Sequence, residues 1–221
     1  MPRSKRIIIP GLSHHISQRG NNHQNIFLED EDRMQYLDIL EIKCEKRGMS
    51  IIGFCLMTNH LHIIGIPLTS ESLSQTIGQT HRDYAQWFNS KYRRDGHLWQ
   101  SRYHSCALDE SHLVRALIYV DRNPVRAGIV DNTLDYRWSS AKAHMVETDE
   151  FGMLDFQRWR KISVRTGWKE LLKKEDSNFG NLLRIHTASG VPLASEDFII
   201  RLEKEIGKPL RIKSKGRPII R

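Results

Sequence analysis

Hydrophobic positions along the first 140 residues change period several times, and each change marks an element. His14 to Gln18 reads as a first strand, closed by a turn at Gly20-Asn21-Asn22. From about Asp32 to Lys46, Met34, Leu37, Ile39, Leu40 and Cys44 supply the apolar side of a helix that Gly48 ends. The apolar runs Met49 to Met57 and His60 to Ile66 flank the short Thr58-Asn59 turn, which predicts a β-hairpin. A helix over Ser72 to Tyr92, a strand over Leu98 to Leu108 and a helix over Glu110 to Val120 follow, the last carrying Leu113, Leu117 and Val120 at helical spacing. This order predicts an α+β fold of ferredoxin-like type, an antiparallel sheet with helices packed on one face. After Trp138 the pattern weakens: Glu147 to Ser177 is polar with helix-like patches around Trp159 and Leu171-Leu172. Ser195 to Ile206 reads as a capped helix with Phe198, Leu202 and Ile206 on one face. The chain is thus expected to divide into a main domain over 1–140, a helical C-terminal extension over 141–207 and a basic tail over 208–221.

Composition narrows the class of partner. The 221 residues suffice to bury a core and include 34 lysines and arginines against 26 acidic residues, a formal charge of +8 with a sequence pI ≈ 9.5. That balance favours a polyanion, nucleic acid first, without assigning one. Cys44, Cys55 and Cys106 form no CxxC pair or paired framework, and the apolar stretch Ile7 to Pro10 is too short for a membrane span. The expectation is a reduced, cytoplasmic protein with no membrane partner.

Two short motifs carry chemistry. Side chains alternate along a strand, so His60 and His62 project side by side while Leu61 points the other way into the core. Neutral imidazoles on a rigid strand form a pair of ligands for a divalent ion; the plain alternative is two histidines satisfied by neighbouring backbone, and this motif alone does not choose. The second motif is Tyr119-Val120-Asp121-Arg122-Asn123-Pro124. Residues four apart share a helix face, which brings the Tyr119 hydroxyl and the Asn123 amide into one volume, and Pro124 is expected to end the helix. Taken alone, it reads as readily as an interfacial tyrosine before an ordinary Asn-Pro stop.

Together these residues resemble the HUH single-tyrosine (IS200-like) transposases, and more closely the REP-associated tyrosine transposases that accompany bacterial repetitive palindromes. The likeness runs through His14 to Asn22, Met57 to His62, Gly96 to Tyr103, Tyr119 to Gly128 and Trp138-Ser139-Ser140. It implies a catalytic domain over 1–140, with Tyr119 as nucleophile and His60, His62 and Asn123 as ligands of Mg²⁺ or Mn²⁺. Insertion-sequence relatives often carry the longer Gln in place of Asn123. The implied reaction is cleavage and rejoining of single-stranded DNA near a hairpin or palindromic repeat through a 5′-phosphotyrosine and a free 3′-OH. The covalent link conserves the bond, so no ATP is needed, and no Gly-rich loop of P-loop type is found. A free phenol ionises near pH 10, so its attack at neutral pH requires metal, cationic or general-base help, and the sequence assigns no residue to that task. Two other classes stand beside this one: a metal nuclease that uses water, with Tyr119 structural, and a non-catalytic nucleic-acid-binding protein. Related enzymes share Tyr and His parts across a dimer, so monomer and homodimer both remain open.

Candidate DNA contacts are more diffuse. Gln18, Arg19, Asn21 and Asn22 lead out of the first strand and read as contacts to base edges or a hairpin foot, or simply as the turn. Arg82, Tyr84, Trp87, Tyr92, Arg93 and Arg94 interleave rings with guanidinium groups as a base-stacking surface would, yet at helical spacing Tyr84, Trp87 and Phe88 also read as core. Arg102 lies in the Gly96 to Tyr103 block. In the tail, Lys215-Gly216-Arg217-Pro218 is similar to the core of an AT-hook, which would take Lys215 and Arg217 to a minor groove.

Overall fold

Two interlocked strand-helix-strand crossovers build the sheet of the computed structural model, which describes residues 6–163, 167–174 and 176–211. Strand β1 (Ser13–Arg19) leads through helix α1 (Asp30–Arg47) to β2 (Met49–Leu56). Strand β3 (His60–Pro67) folds back between them, and α2 (Ser72–Lys91) crosses to β4 (His104–Leu108) on the free side of β1. The sheet order is β2-β3-β1-β4 with every neighbouring pair antiparallel, the ferredoxin-like arrangement that the element order predicts.

Helices α1 and α2 share the layer on the side to which Leu61 and Ile63 point, joined by Tyr36 and Tyr84 edge to face at 5.3 Å. Tyr84 and Phe88 are fully buried there and the Tyr84 hydroxyl donates to the Ile26 carbonyl, so these two rings are core rather than a base-stacking surface. A capping box between Glu29 and Asp32 starts α1, two residues earlier than the apolar period indicates, and Gly48 ends it.

The opposite face carries α3 (Glu110–Asp121) and, from the extension, a helix that the sequence pattern does not announce. After α3 come α4 (Asn123–Arg126), α5 (Ala141–Val146), α6 (Phe156–Ser163), α7 (Trp168–Leu171), α8 (Ser177–Ser189) and α9 (Glu196–Ile206). Helix α3 lies so close to β2 that a Cβ on Gly53 would stand 2.6 Å from a Leu117 methyl, and α8 packs on β4 and β1. The extension joins the main core: Trp159, Trp168, Phe179 and Leu183 are buried in continuity with the sheet residues. A buried polar staple fastens it. Asp121 Oδ2 accepts from His144 Nδ1 at 2.7 Å, Ser140 Oγ donates to Asp121 Oδ1 at 2.7 Å, and His144 Nε2 donates to the Ile52 carbonyl at 2.8 Å. Both His144 ring nitrogens therefore face acceptors, with Trp159 stacked over the ring at 3.8 Å.

Three elements depart from the sequence reading. Only His104–Leu108 of the segment from Leu98 is strand, because Leu98 to Ser101 instead braces the end of β1. There Asn21 N donates to Leu98 O, Gln100 N donates to Arg19 O, and the Gln18 amide donates to Ser101 O. Helix α3 does end just before Pro124, at Asp121, but the chain turns at once into the separate helix α4, in whose first turn Pro124 stands and its missing N–H costs nothing. Helix α9 buries Ile199 and Leu202 against Ile7, Ile9 and Leu210, with Phe198 partly covered and Ile206 exposed, and Ser195 starts it without a side-chain cap. Among the described residues no helix is long and apolar enough to cross a membrane.

Candidate active site

The His60 and His62 rings stand on one face of β3, as strand alternation requires, with centroids 5.2 Å apart and planes perpendicular. Antiparallel pairing sets Ser17 of β1 directly opposite His62, which makes His15 its diagonal neighbour. Helix α3 lays Tyr119 across this pair, its ring 5.5 Å from that of His62 and edge-on to it. One further turn brings Asn123 against His60, its amide nitrogen 3.4 Å from Nε2. All four residues line one cleft of ≈ 490 Å³, together with Gln18 and Arg19.

The proton positions on the two imidazoles follow from their neighbours. His60 Nδ1 donates to Asn59 Oδ1 at 2.7 Å, leaving the Nε2 lone pair to the cleft. Burial, reinforced by Arg19 and Arg126, lowers His60 to about 4, and His62, more deeply buried and beside His15 and His60, lies well below its ordinary value. Both rings are neutral at neutral pH and free to donate a lone pair. Among the described residues no group of three His, Cys, Asp or Glu side chains is arranged to hold an ion, so the site offers two imidazoles completed by an amide. This uncharged donor set fits a divalent cation whose negative partner is a phosphate. Asn123 Oδ1 at present accepts from Arg126, so ligation by that oxygen requires the amide to turn over.

Arg126 is the residue that sequence reading passed over. Its guanidinium carbon sits 3.8 Å from the Tyr119 ring centroid and its Nη1 reaches the Tyr119 carbonyl at 3.4 Å. The spacing was a signal, since position 126 falls seven after 119 and three after 123, on the same helical face. On its far side the Tyr119 ring rests against α8, where a Cβ on Gly180 would approach to 2.9 Å. The same helix sends Arg184 and Thr187 into the cleft lining, contributions from far along the chain that no local pattern announces.

The remaining sequence candidates separate. Gln18 and Arg19 line the cleft, Gln18 with its amide committed to Ser101 O. Asn21 and Asn22 form a one-turn 3₁₀ segment beyond β1, Asn22 in the left-handed region at φ 48°, so they make the turn and leave the cleft lining to their neighbours. Arg82 pairs with Asp83 on the exposed side of α2, and Arg94 donates to Gln24. Arg93 and Arg102 are exposed and outside the cleft. Lys215 and Arg217 lie outside the described residues.

The antiparallel ferredoxin-like sheet thus presents paired imidazoles to a helix-borne tyrosine, and sequence comparison supplies the family. The description "Transposase IS200 like" matches residues 9–123, and the chain belongs to that transposase family. The match covers β1 to β4 and runs through α3 to Asn123. No curated protein matches the chain. Its fold is similar to that of a REP-associated tyrosine transposase solved bound to a REP hairpin, at 18% identity and a TM-score of 0.54, covering 70% of this chain and 89% of that one. A Deinococcus radiodurans R1 protein assigned to the transposases aligns at 17% identity and a TM-score of 0.38, over 55% of this chain and 97% of that one.

Proposed function

We propose that this transposase cuts and rejoins single-stranded DNA beside a hairpin or palindromic repeat, with Tyr119 as the attacking group. The observation that carries the proposal is the convergence of Tyr119, His60, His62, Asn123 and Arg126 on one cleft, with Arg19 at its rim. The hairpin-bound structural relative supports the choice of DNA.

His60 Nε2, His62 Nε2 and, after its amide turns, Asn123 Oδ1 would hold Mg²⁺ or Mn²⁺. Such an ion polarises the scissile phosphate and offsets charge gathering on its oxygens. Tyr119 supplies the nucleophilic oxygen: the phenol gives up its proton to solvent, the bond from its oxygen to phosphorus forms as the bond between phosphorus and the 3′-oxygen breaks, and the leaving oxygen takes up a proton from solvent to become a 3′-OH. The product is a 5′-phosphotyrosine, which a second 3′-OH reverses without ATP. Arg126, held against the ring face, favours development of negative charge on the phenol oxygen and keeps the ring between α3 and α8. Arg19 and Arg184 supply positive charge along the walls for flanking phosphates. We further propose that residues 1–140 carry the chemistry and that the extension completes one wall of its cleft.

Incubation of the full chain with hairpin-bearing single-stranded DNA and Mn²⁺, followed by a denaturing gel, tests this directly. A covalent protein-DNA band supports it. Strand release without such a band would instead indicate a water-using nuclease, and retardation confined to native gels a binding protein.

A further inference from the structure

A buried chain of polar contacts runs from the C-terminal extension to the back of His62. Thr187 Oγ1 on α8 lies 2.7 Å from His15 Nδ1, and His15 Nε2 lies 2.9 Å from His62 Nδ1. The His15 and His62 rings are stacked, with centroids 5.1 Å apart and planes within 18°. Thr187 is itself anchored by Cys106 Sγ at 3.3 Å. His15 is 1% exposed and Thr187 2%, so neither side chain is replaced by water in this role.

Such a chain has two proton arrangements. In one, Thr187 donates to His15 and His15 donates to His62, which leaves an N–H on His62 Nε2 and no lone pair for the cleft. In the other, His15 donates to Thr187 and accepts from His62, so the His62 proton sits on Nδ1 and Nε2 is bare. A neutral imidazole carries a single ring proton, and each ring here has one nitrogen bonded to the next member of the chain, so the chain adopts one arrangement or the other. The cleft decides between them. Arg19 and Arg126 line the same cleft as His62, and a bare nitrogen, the negative end of the imidazole dipole, facing a cleft that holds two guanidinium groups is the favoured orientation. His60 reaches the same tautomer by donating to Asn59.

We infer that His15, oriented by Thr187, is a positioning residue that holds the His62 proton on Nδ1 and so presents its Nε2 lone pair to the cleft. The consequence for the reaction rests on the proposed use of His62 as a metal ligand; the tautomer does not. It makes the extension a participant in preparing the site, because without α8 the Nδ1 of His15 loses its acceptor.

The test reads the tautomer in the metal-free full-length protein, by long-range ¹H–¹⁵N correlation of the His62 ring. The expected result is an Nδ1-protonated ring in the wild type, a shift toward Nε2 protonation in His15→Phe and Thr187→Val, and recovery in His15→Gln, whose amide oxygen again accepts. Mn²⁺ titration should show affinity lowered roughly tenfold or more in His15→Phe and Thr187→Val. Circular dichroism in chelator should show both variants folded as the wild type is. An Nε2-protonated His62 in the wild type, or an unchanged ring in both variants, overturns the inference. If the wild-type protein shows the expected tautomer but takes up no Mn²⁺, the positioning role stands and the metal reading fails.

Discussion

Arg126 lies against the face of the Tyr119 ring, its guanidinium carbon 3.8 Å from the centroid, and also donates to the oxygen of Asn123. One side chain thereby touches both the proposed nucleophile and a proposed ligand. A charge in this place favours the phenolate as it forms and releases Asn123 when the amide turns. Arg126→Ala should lower the rate of covalent adduct formation by about 10² or more, with Arg126→Lys recovering part of it, since a lysine keeps the charge but not the planar contact. Single-turnover kinetics at saturating DNA are the measurement, and a full wild-type rate in Arg126→Ala would rule this role out.

His60→Ala and His62→Ala should each abolish metal-dependent cleavage, because two neutral imidazoles and an amide leave little to hold an ion once one is lost. The uncharged donor set has a second consequence. Mn²⁺ should bind free protein weakly and bind more tightly, by roughly tenfold, once DNA brings a phosphate oxygen, and by linkage Mn²⁺ should tighten DNA binding by the same factor. Calorimetric titration with and without hairpin DNA checks this, and cleavage undiminished in excess chelator would show that the histidines serve another purpose.

Stability should fall as the medium is acidified, starting well above the carboxylate range. Burial lowers His14 to about 4 and His15 and His81 to about 3, from an ordinary value of 6.5. Between about pH 6.5 and these values the unfolded chain binds protons that the folded chain refuses, so stability is intact above 6.5 and is lost progressively below it. Thermal midpoints measured in chelator from pH 8 to pH 4 should trace this decline. His81→Gln should remove about one proton from the slope. A flat profile over that window would contradict the neutral, buried state of these rings.

The Asp121 and His144 side chains are both fully buried and bonded at 2.7 Å, and Asp121 stands two residues after Tyr119, the proposed nucleophile. Removing one member leaves the other without its partner in the interior. Asp121→Ala should cost about 3–5 kcal/mol in chemical denaturation. Because the pair joins α3 to α5, Tyr119 should also lose its fixed position, and a variant with unchanged stability would show that the staple is dispensable.

What could be read from the sequence was what local periodicity determines. Alternation placed His60 and His62 on one face of β3, and helical spacing set Asn123 one turn from Tyr119. The element order was enough to give the sheet. The face partner of His62 is different in kind: His15 stood in view, but its meeting with His62 depends on strand register, which no short window contains. Arg126 carried the right spacing, yet an arginine at that spacing looks the same whether it braces a ring or faces solvent. Helix α8 stayed hidden because the apolar Leu182 and Ile185 are exposed while Gly180 and Thr187 stand on its buried face; its burial is decided by β4 and by Tyr119, not by its own pattern.

The decisive measurement is the identity of the residue that carries DNA after the reaction. The trapped protein-DNA adduct, digested with protease and nuclease and sequenced by tandem mass spectrometry, should place a 5′-linked nucleotide on the peptide containing Tyr119, and Tyr119→Phe should give no adduct while binding hairpin DNA as the wild type does. A nucleotide on Tyr84, Tyr92 or Tyr103, or a full yield of adduct from Tyr119→Phe, would show that the chemistry belongs to another group.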